Sequence, residues 1–222
     1  MGSTSILAAT AEELRDHWVW RPEWTTRRTC LYWYLTFGED QITHAVGEET
    51  LRRVRGVGWL DAVPPAWCHV TVADVGFADE LEPTDVERVT EAVADAVAGQ
   101  DRLRLILGPA QTFPSALVLA VGPLDRLRAV KARVRRSTSA VLGARHTDVH
   151  RRLFWPHLSL GYVNRPVDAR TAARLLDALP AVSARLDVAA LTLAAVTRRD
   201  HSYRWRVQAQ VDLLGNVTRT PG

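Results

Sequence analysis

Lysine is almost missing from this 222-residue chain: Lys131 is the only one, and every other basic side chain counted among the 28 Lys and Arg is an arginine. An ATP-dependent nucleic-acid ligase needs a lysine to carry the adenylate, and Lys131 lies in a helix-like stretch, KARVRR, without the flanking pattern of such a site. No GxxxxGK(S/T) phosphate loop occurs either, so nucleotide-driven chemistry is not expected. Cysteine is scarce as well. Cys30 and Cys68 are too few for a disulfide framework or a thiolate metal cage, and both fall in apolar runs that read as strands, the setting of buried reduced thiols. Long apolar runs are absent, and the start MGSTSILAATAEELRDHW lacks the basic region and apolar stretch of a secretory signal. The expectation is a cytoplasmic protein with no membrane contact.

What the chain does have is 47% hydrophobic and 24% charged residues, enough to bury one large core or two small lobes sharing an interface. A net charge of +3 and a pI near 9.2 suit a phosphate-bearing ligand without demanding one.

The order of elements repeats. CLYWYLTF (30–37) reads as a buried strand, and Ile42, Ala45, Val46, Leu51 and Val54 suit a helix over 41–54 that Gly47 weakens. After the Pro64-Pro65 turn, WCHVTVA (67–73) reads as a strand. Thr84 and Glu87 have the spacing of a capping box ahead of Val86, Val89, Val93 and Val97, with Gly99 as the stop, and RLRLILG (102–108) alternates like a strand. The second round is ALVLAVG (116–122), a helix from Pro123 to Gly143, the strand WPHLSLGY (155–162), and a helix capped by Asp168 and ended by Pro180. Two strands, about 185–196 and 203–213, close the chain. The expected architecture is α+β: two pseudo-symmetric lobes, each an antiparallel sheet with helices packed outside, around a central cleft. An N-terminal arm (1–29) precedes the bilobal domain (30–222), whose halves run from about 30 to 110 and 111 to 214.

Each round carries one histidine strand, and the two align as Trp67-Cys68-His69-Val70-Thr71-Val72 and Trp155-Pro156-His157-Leu158-Ser159-Leu160. Because strand side chains alternate faces, Trp, His and hydroxyl share one face while the apolar residues turn to a core. A phosphodiester requires a base for the attacking oxygen and an acid for the leaving oxygen, and imidazole serves either role at neutral pH. The hydroxyl two residues on can donate to a non-bridging phosphate oxygen as charge builds there.

With HVTV and HLSL the chain resembles the 2H phosphoesterase superfamily, whose branches include the 2'-5' RNA ligase-like proteins and the 2',3'-cyclic nucleotide phosphodiesterases; the resemblance spans about residues 30–213. It implies that His69 and His157 are the acid and base, that Thr71 and Ser159 bind phosphate, and that neither metal nor cofactor is needed. One departure is GYVN after the second motif, where an arginine would clamp phosphate; the third phosphate contact is left unassigned. The expected activity is opening of a 2',3'-cyclic phosphate on an RNA end or a nucleotide, with no obligate protein partner. The pseudo-symmetry leaves the sequence silent on the proton roles, with a lean to His157 as base and His69 as acid. Reversible cleavage and joining of 2'-5' RNA linkages, cleavage of other oligonucleotides, and a non-catalytic nucleotide- or RNA-binding module are the alternatives.

Other residues carry two readings. Trp67 and Trp155 can stack on bases or simply pack. Trp18, Trp20 and Trp24, with Arg21, Arg27 and Arg28, form either a basic aromatic platform or an arm pinned to the body by tryptophans, the second being favoured. His146 and His150 have helical metal-ligand spacing without an HExxH pattern and read as a loop near the cleft, where Arg145, Arg151 and Arg152 contact phosphate or line a solvated edge. Tyr162 falls on the apolar parity and reads as core. His17, His44 and His201 show no partner pattern.

Overall fold

In a computed structural model describing residues 13–19, 22–143, 154–213 and 216–219, the elements follow the repeat read from the sequence. The strands are β1 (Glu13–Leu14), β2 (Thr29–Thr36), β3 (Leu60–Ala62), β4 (His69–Phe77), β5 (Leu103–Phe113), β6 (Ala116–Gly122), β7 (His157–Val163), β8 (Val167–Asp168), β9 (Ala184–Val188), β10 (Ala190–Arg199), β11 (Ser202–Asp212) and β12 (Val217–Arg219). The helices are α1 (Glu39–Val46), α2 (Glu48–Arg55), α3 (Pro83–Val97), α4 (Leu124–Leu142) and α5 (Ala169–Ala178).

Local chemistry explains most boundaries. Gly47, with a φ of 85°, breaks the helix expected over 41–54 into α1 and α2, a backbone state that a side chain would resist. Asp168 caps α5 by accepting from the Thr171 N–H, as expected. The capping box expected at Thr84 does not form. Pro83, whose fixed φ suits the first helical position, starts α3 two residues earlier, so Glu82 is the N-cap and no side chain caps it.

The antiparallel strands run in the order β12-β11-β10-β2-β4-β7-β6-β5-β9, with β3 paired to β7. Four strands on each side mirror one another about the junction between the two histidine strands, β4 and β7, and β12 extends one edge. That junction rests on one registered pair, Val70↔Leu158, whereas β2 and β4 are aligned from Cys30↔Phe77 to Thr36↔His69. The sheet is therefore two halves hinged at the motifs.

The halves do not divide the chain near residue 110. β5, expected to close the first half, pairs with β6 and β9 in the second; β10 and β11, expected to close the second, join β2 in the first. A single residue, Ala189, separates β9 from β10, so the far edge of one half comes within about two Cα spacings of the other. Sequence alternation locates strands but does not say which edge they join, and each half has in effect exchanged its last strands with the other. The described part of the N-terminal arm is pinned to the body: β1 pairs with β8, Arg15 N–H donates to Pro114, and His17 N–H donates to Val163. No helix of the described residues is long and apolar enough to cross a membrane.

Candidate active site

His69 and His157 open β4 and β7, so each imidazole stands at the start of a central strand, next to the junction of the halves. Extending the Val70↔Leu158 register by one residue each way aligns His69 with Ser159 and Thr71 with His157, which places two imidazoles and two hydroxyls in one diagonal square. All four line a cavity of about 470 Å³, within the range of small-molecule sites.

Both rings are tethered alike. His69 Nδ1 lies 2.9 Å from the Trp67 carbonyl oxygen, and His157 Nδ1 lies 2.7 Å from that of Trp155. A carbonyl oxygen can only accept, so each Nδ1 carries its proton, and each neutral ring is left with its lone pair on Nε2. The tryptophan of W-x-H thus positions the imidazole through its backbone.

The surroundings differ. His69 is only 9% exposed, with the Tyr34 ring stacked on it at 4.0 Å and the Trp205 ring edge-on at 5.0 Å. Burial pushes its pKa down to about 4, opposed by the Trp67 carbonyl and reinforced by nearby His157. His157 is half-buried, with Phe113 tilted against it at 4.6 Å. Thr71 is hydrogen-bonded to Tyr34, and Ser159 to Tyr162; both tyrosines are buried and held above their ordinary pKa chiefly by desolvation, so they stay protonated.

A family model described as the 2'-5' RNA ligase superfamily matches residues 44–200, which takes in both motifs and most of the chain. The chain belongs to this superfamily. Its members are the 2H phosphoesterases and ligases, so the fold and the paired motifs are those of a phosphoesterase-type enzyme. Among solved structures the chain is similar to TT0787 of Thermus thermophilus, at 19% identity and a TM-score of 0.64 over 84% of this chain and 98% of that one. It is also similar to E. coli LigT in its apo form, at 16% identity and a TM-score of 0.58 over 82% and 96%. A third is a phosphoesterase, at 15% identity and a TM-score of 0.57 over 82% and 96%. At these identities the likeness is one of fold. No curated protein matches the chain.

Against the superfamily motif, the structure brings His69, His157, Thr71 and Ser159 together, with Trp155 on the cavity wall. Trp67 is not among the residues lining that cavity: its ring meets Trp205 edge-on at 4.9 Å, which is packing rather than a free face for a base. Tyr162, read as core on the apolar face, is buried as expected but on the side of the sheet that lines the cavity. Leu160 is an unpaired extra residue in β7, since Val118 aligns with Ser159 but Leu117 with Gly161, and this bulge reverses the alternation beyond it. Val72 is the equivalent extra residue in β4, between Tyr34↔Thr71 and Trp33↔Ala73. In both halves the last residue of the four-residue motif is the bulge.

Sequence reasoning missed a third histidine. His17 reaches the cavity from the arm, stacked on Tyr162 at 4.3 Å, with Nδ1 3.0 Å from Ser115 Oγ and Nε2 2.8 Å from the Tyr203 hydroxyl. Burial, helped by Arg198, pushes its pKa down to about 4. Its only signal in the sequence was the tryptophan cluster around it. Trp18 packs beside it, donating Nε1–H to Asp61 Oδ2 at 2.8 Å and stacking on His201, and Trp24 is buried against Tyr32, so the arm reads as pinned rather than as an open platform. Trp20, Arg21, Arg145, His146, His150, Arg151 and Arg152 lie outside the described residues. Cys30 and Cys68 are buried thiols, and burial pushes Cys68 up to about 12, far from a thiolate nucleophile.

Proposed function

We propose that this protein hydrolyses 2',3'-cyclic phosphates of RNA ends or nucleotides by two-histidine acid–base catalysis. The observation that carries the reading is the pair of imidazoles on one cavity, each held at Nδ1 by a backbone carbonyl, with Thr71 and Ser159 beside them. LigT, similar in fold, forms complexes with phosphate and with 3'-AMP, which fits a phosphate-bearing ligand at this site.

In this scheme a water attacks phosphorus. Its proton passes to Nε2 of His69, a new P–O bond forms, the bond to one ribose oxygen breaks, and that oxygen takes a proton from Nε2 of His157. Thr71 and Ser159 donate to the non-bridging oxygens as their charge rises. Giving the base role to His69 reverses the lean drawn from sequence. Its pKa near 4 keeps it neutral at pH 7, and a proton on neighbouring His157 discourages a second one on His69.

The test is turnover of nucleoside 2',3'-cyclic phosphates and of a cyclic-phosphate-ended RNA oligomer in EDTA, for wild type, His69→Ala and His157→Ala. Wild type should turn over, and each variant should lose at least about 10²-fold in kcat. Activity lost on chelation and restored by a divalent ion, or variants as active as wild type, would sink the scheme.

A further inference from the structure

The only lysine in the chain points inward. Lys131 sits in the middle of α4, 9% exposed, with its ammonium 4.8 Å from the centroid of the Phe154 ring, and it lines the same cavity as His69 and His157. A lysine is a compact, strongly hydrated cation that is rarely withdrawn from water. α4 has no shortage of cations to solvate its surface, since Arg126, Arg128 and Arg136 are exposed on it. Lys131 is instead the residue of this helix that lines the cavity.

The described lining of the cavity contains no aspartate or glutamate, and two of its three histidines, His17 and His69, are held neutral at pH 7 by burial. Lys131 is thus the one permanent charge among the described residues of the wall, in a chamber otherwise made of aromatic rings and hydroxyls. A phosphodiester brings a negative charge into that chamber. The two motifs offer it hydroxyls and imidazoles, and the segment after HLSL, GYVN, offers no arginine.

We propose that Lys131 is a phosphate-binding residue of this cleft, supplying from α4 the cation that the second motif lacks. A point charge on a flexible stem suits a phosphate reached from a neighbouring wall. The inference rests on the proposed phosphodiester substrate, but its test does not need turnover.

Binding of inorganic phosphate to the full chain, followed by calorimetry at fixed ionic strength, should weaken at least about tenfold in Lys131→Gln and recover most of that loss in Lys131→Arg, by the charge-assisted nature of the contact. Arg126→Gln, on the exposed face of the same helix, should change nothing. Because Lys131 is the only lysine, an amine-selective reagent read by peptide mapping gives a second measurement on the wild-type protein: phosphate should slow labelling of Lys131, and chloride at equal ionic strength should not. Unchanged phosphate affinity in a folded Lys131→Gln, or labelling indifferent to phosphate, overturns the proposal. Weakened phosphate binding in a protein that opens no cyclic phosphate would uphold the subsite while the reading of the reaction fails. Where turnover is seen, substrates with and without a 5'-phosphate locate the contact. An equal loss of kcat/KM on both puts Lys131 on the reacting phosphate, a loss confined to the 5'-phosphorylated one puts it on the second, and no loss on either overturns the assignment.

Discussion

The two sides of the cleft carry the same motif, the same carbonyl tether and the same bulge, yet they treat their histidines differently. On the first side, His69 is buried under Tyr34 and against Trp205, and its pKa falls to about 4. On the second, His157 stays half-buried between Phe113 and the cavity wall that Trp155 lines. The backbone repeat fixes where the imidazoles stand; the side chains packed on them decide which one is poised to accept a proton. A duplicated architecture can thus acquire two chemical roles without two geometries.

The largest expected effect would settle that division. A nucleotide p-nitrophenyl phosphodiester has a leaving group that departs without a proton, so it needs the base but not the acid. On it, His157→Gln should stay within about tenfold of wild type, while His69→Gln should lose about 10²-fold or more, measured as nitrophenolate release. The opposite order would assign His157 as base and show that burial of His69 in the free protein does not persist with substrate bound.

Much of this was legible in the sequence. The paired motifs named the four central side chains because alternation on a strand is strict enough to carry His and hydroxyl to one face. Most helix ends were legible where Gly or a capping Asp leaves a local signature, as at Gly99, Gly143 and Asp168. What failed were inferences assuming an unbroken pleat or a local partner. Tyr162 was placed on the wrong face because one extra residue at Leu160 reverses the parity. The exchange of β5 with β10 and β11 depends on sheet edges, which alternation does not encode. His17 meets Ser115, Tyr162 and Tyr203 only after the arm folds back across both halves.

With His17 brought in by that arm and His69 on β4, the cleft holds two buried neutral histidines, and acid should expose both. The folded-state pKa values of His17 and His69 are about 4, below the ordinary value of 6.5, so in the window between these values the unfolded chain binds protons that the folded chain refuses. Their contribution is intact above pH 6.5 and is lost as pH falls toward 4. In urea titrations across that window, each histidine should add a slope of up to about 1.4 kcal/mol per pH unit. His69→Gln and His17→Gln should each flatten the curve by one such share, whatever their effect at about pH 8. A slope that neither variant changes would mean that both rings are protonated in the folded protein.

The smallest effect concerns the clasp that brings the arm to the second side. Trp18 Nε1 donates to Asp61 Oδ2, which also lies 3.0 Å from His201 Nδ1, while Asn164 holds the other carboxylate oxygen and Arg198 donates to the Trp18 carbonyl. Trp18→Phe keeps an aromatic ring beside His201 and removes one hydrogen bond, so it should cost about 1 kcal/mol, seen as a fall in Tm of roughly 2–4 °C. Because His69 is seated by Tyr34 and Trp205 rather than by the arm, the His69-dependent acid slope should be unchanged in this variant. A Trp18→Phe protein that lost the His69 share of that slope would show that the arm organises both sides of the cleft, and the contrast between them would then depend on the first residues of the described chain.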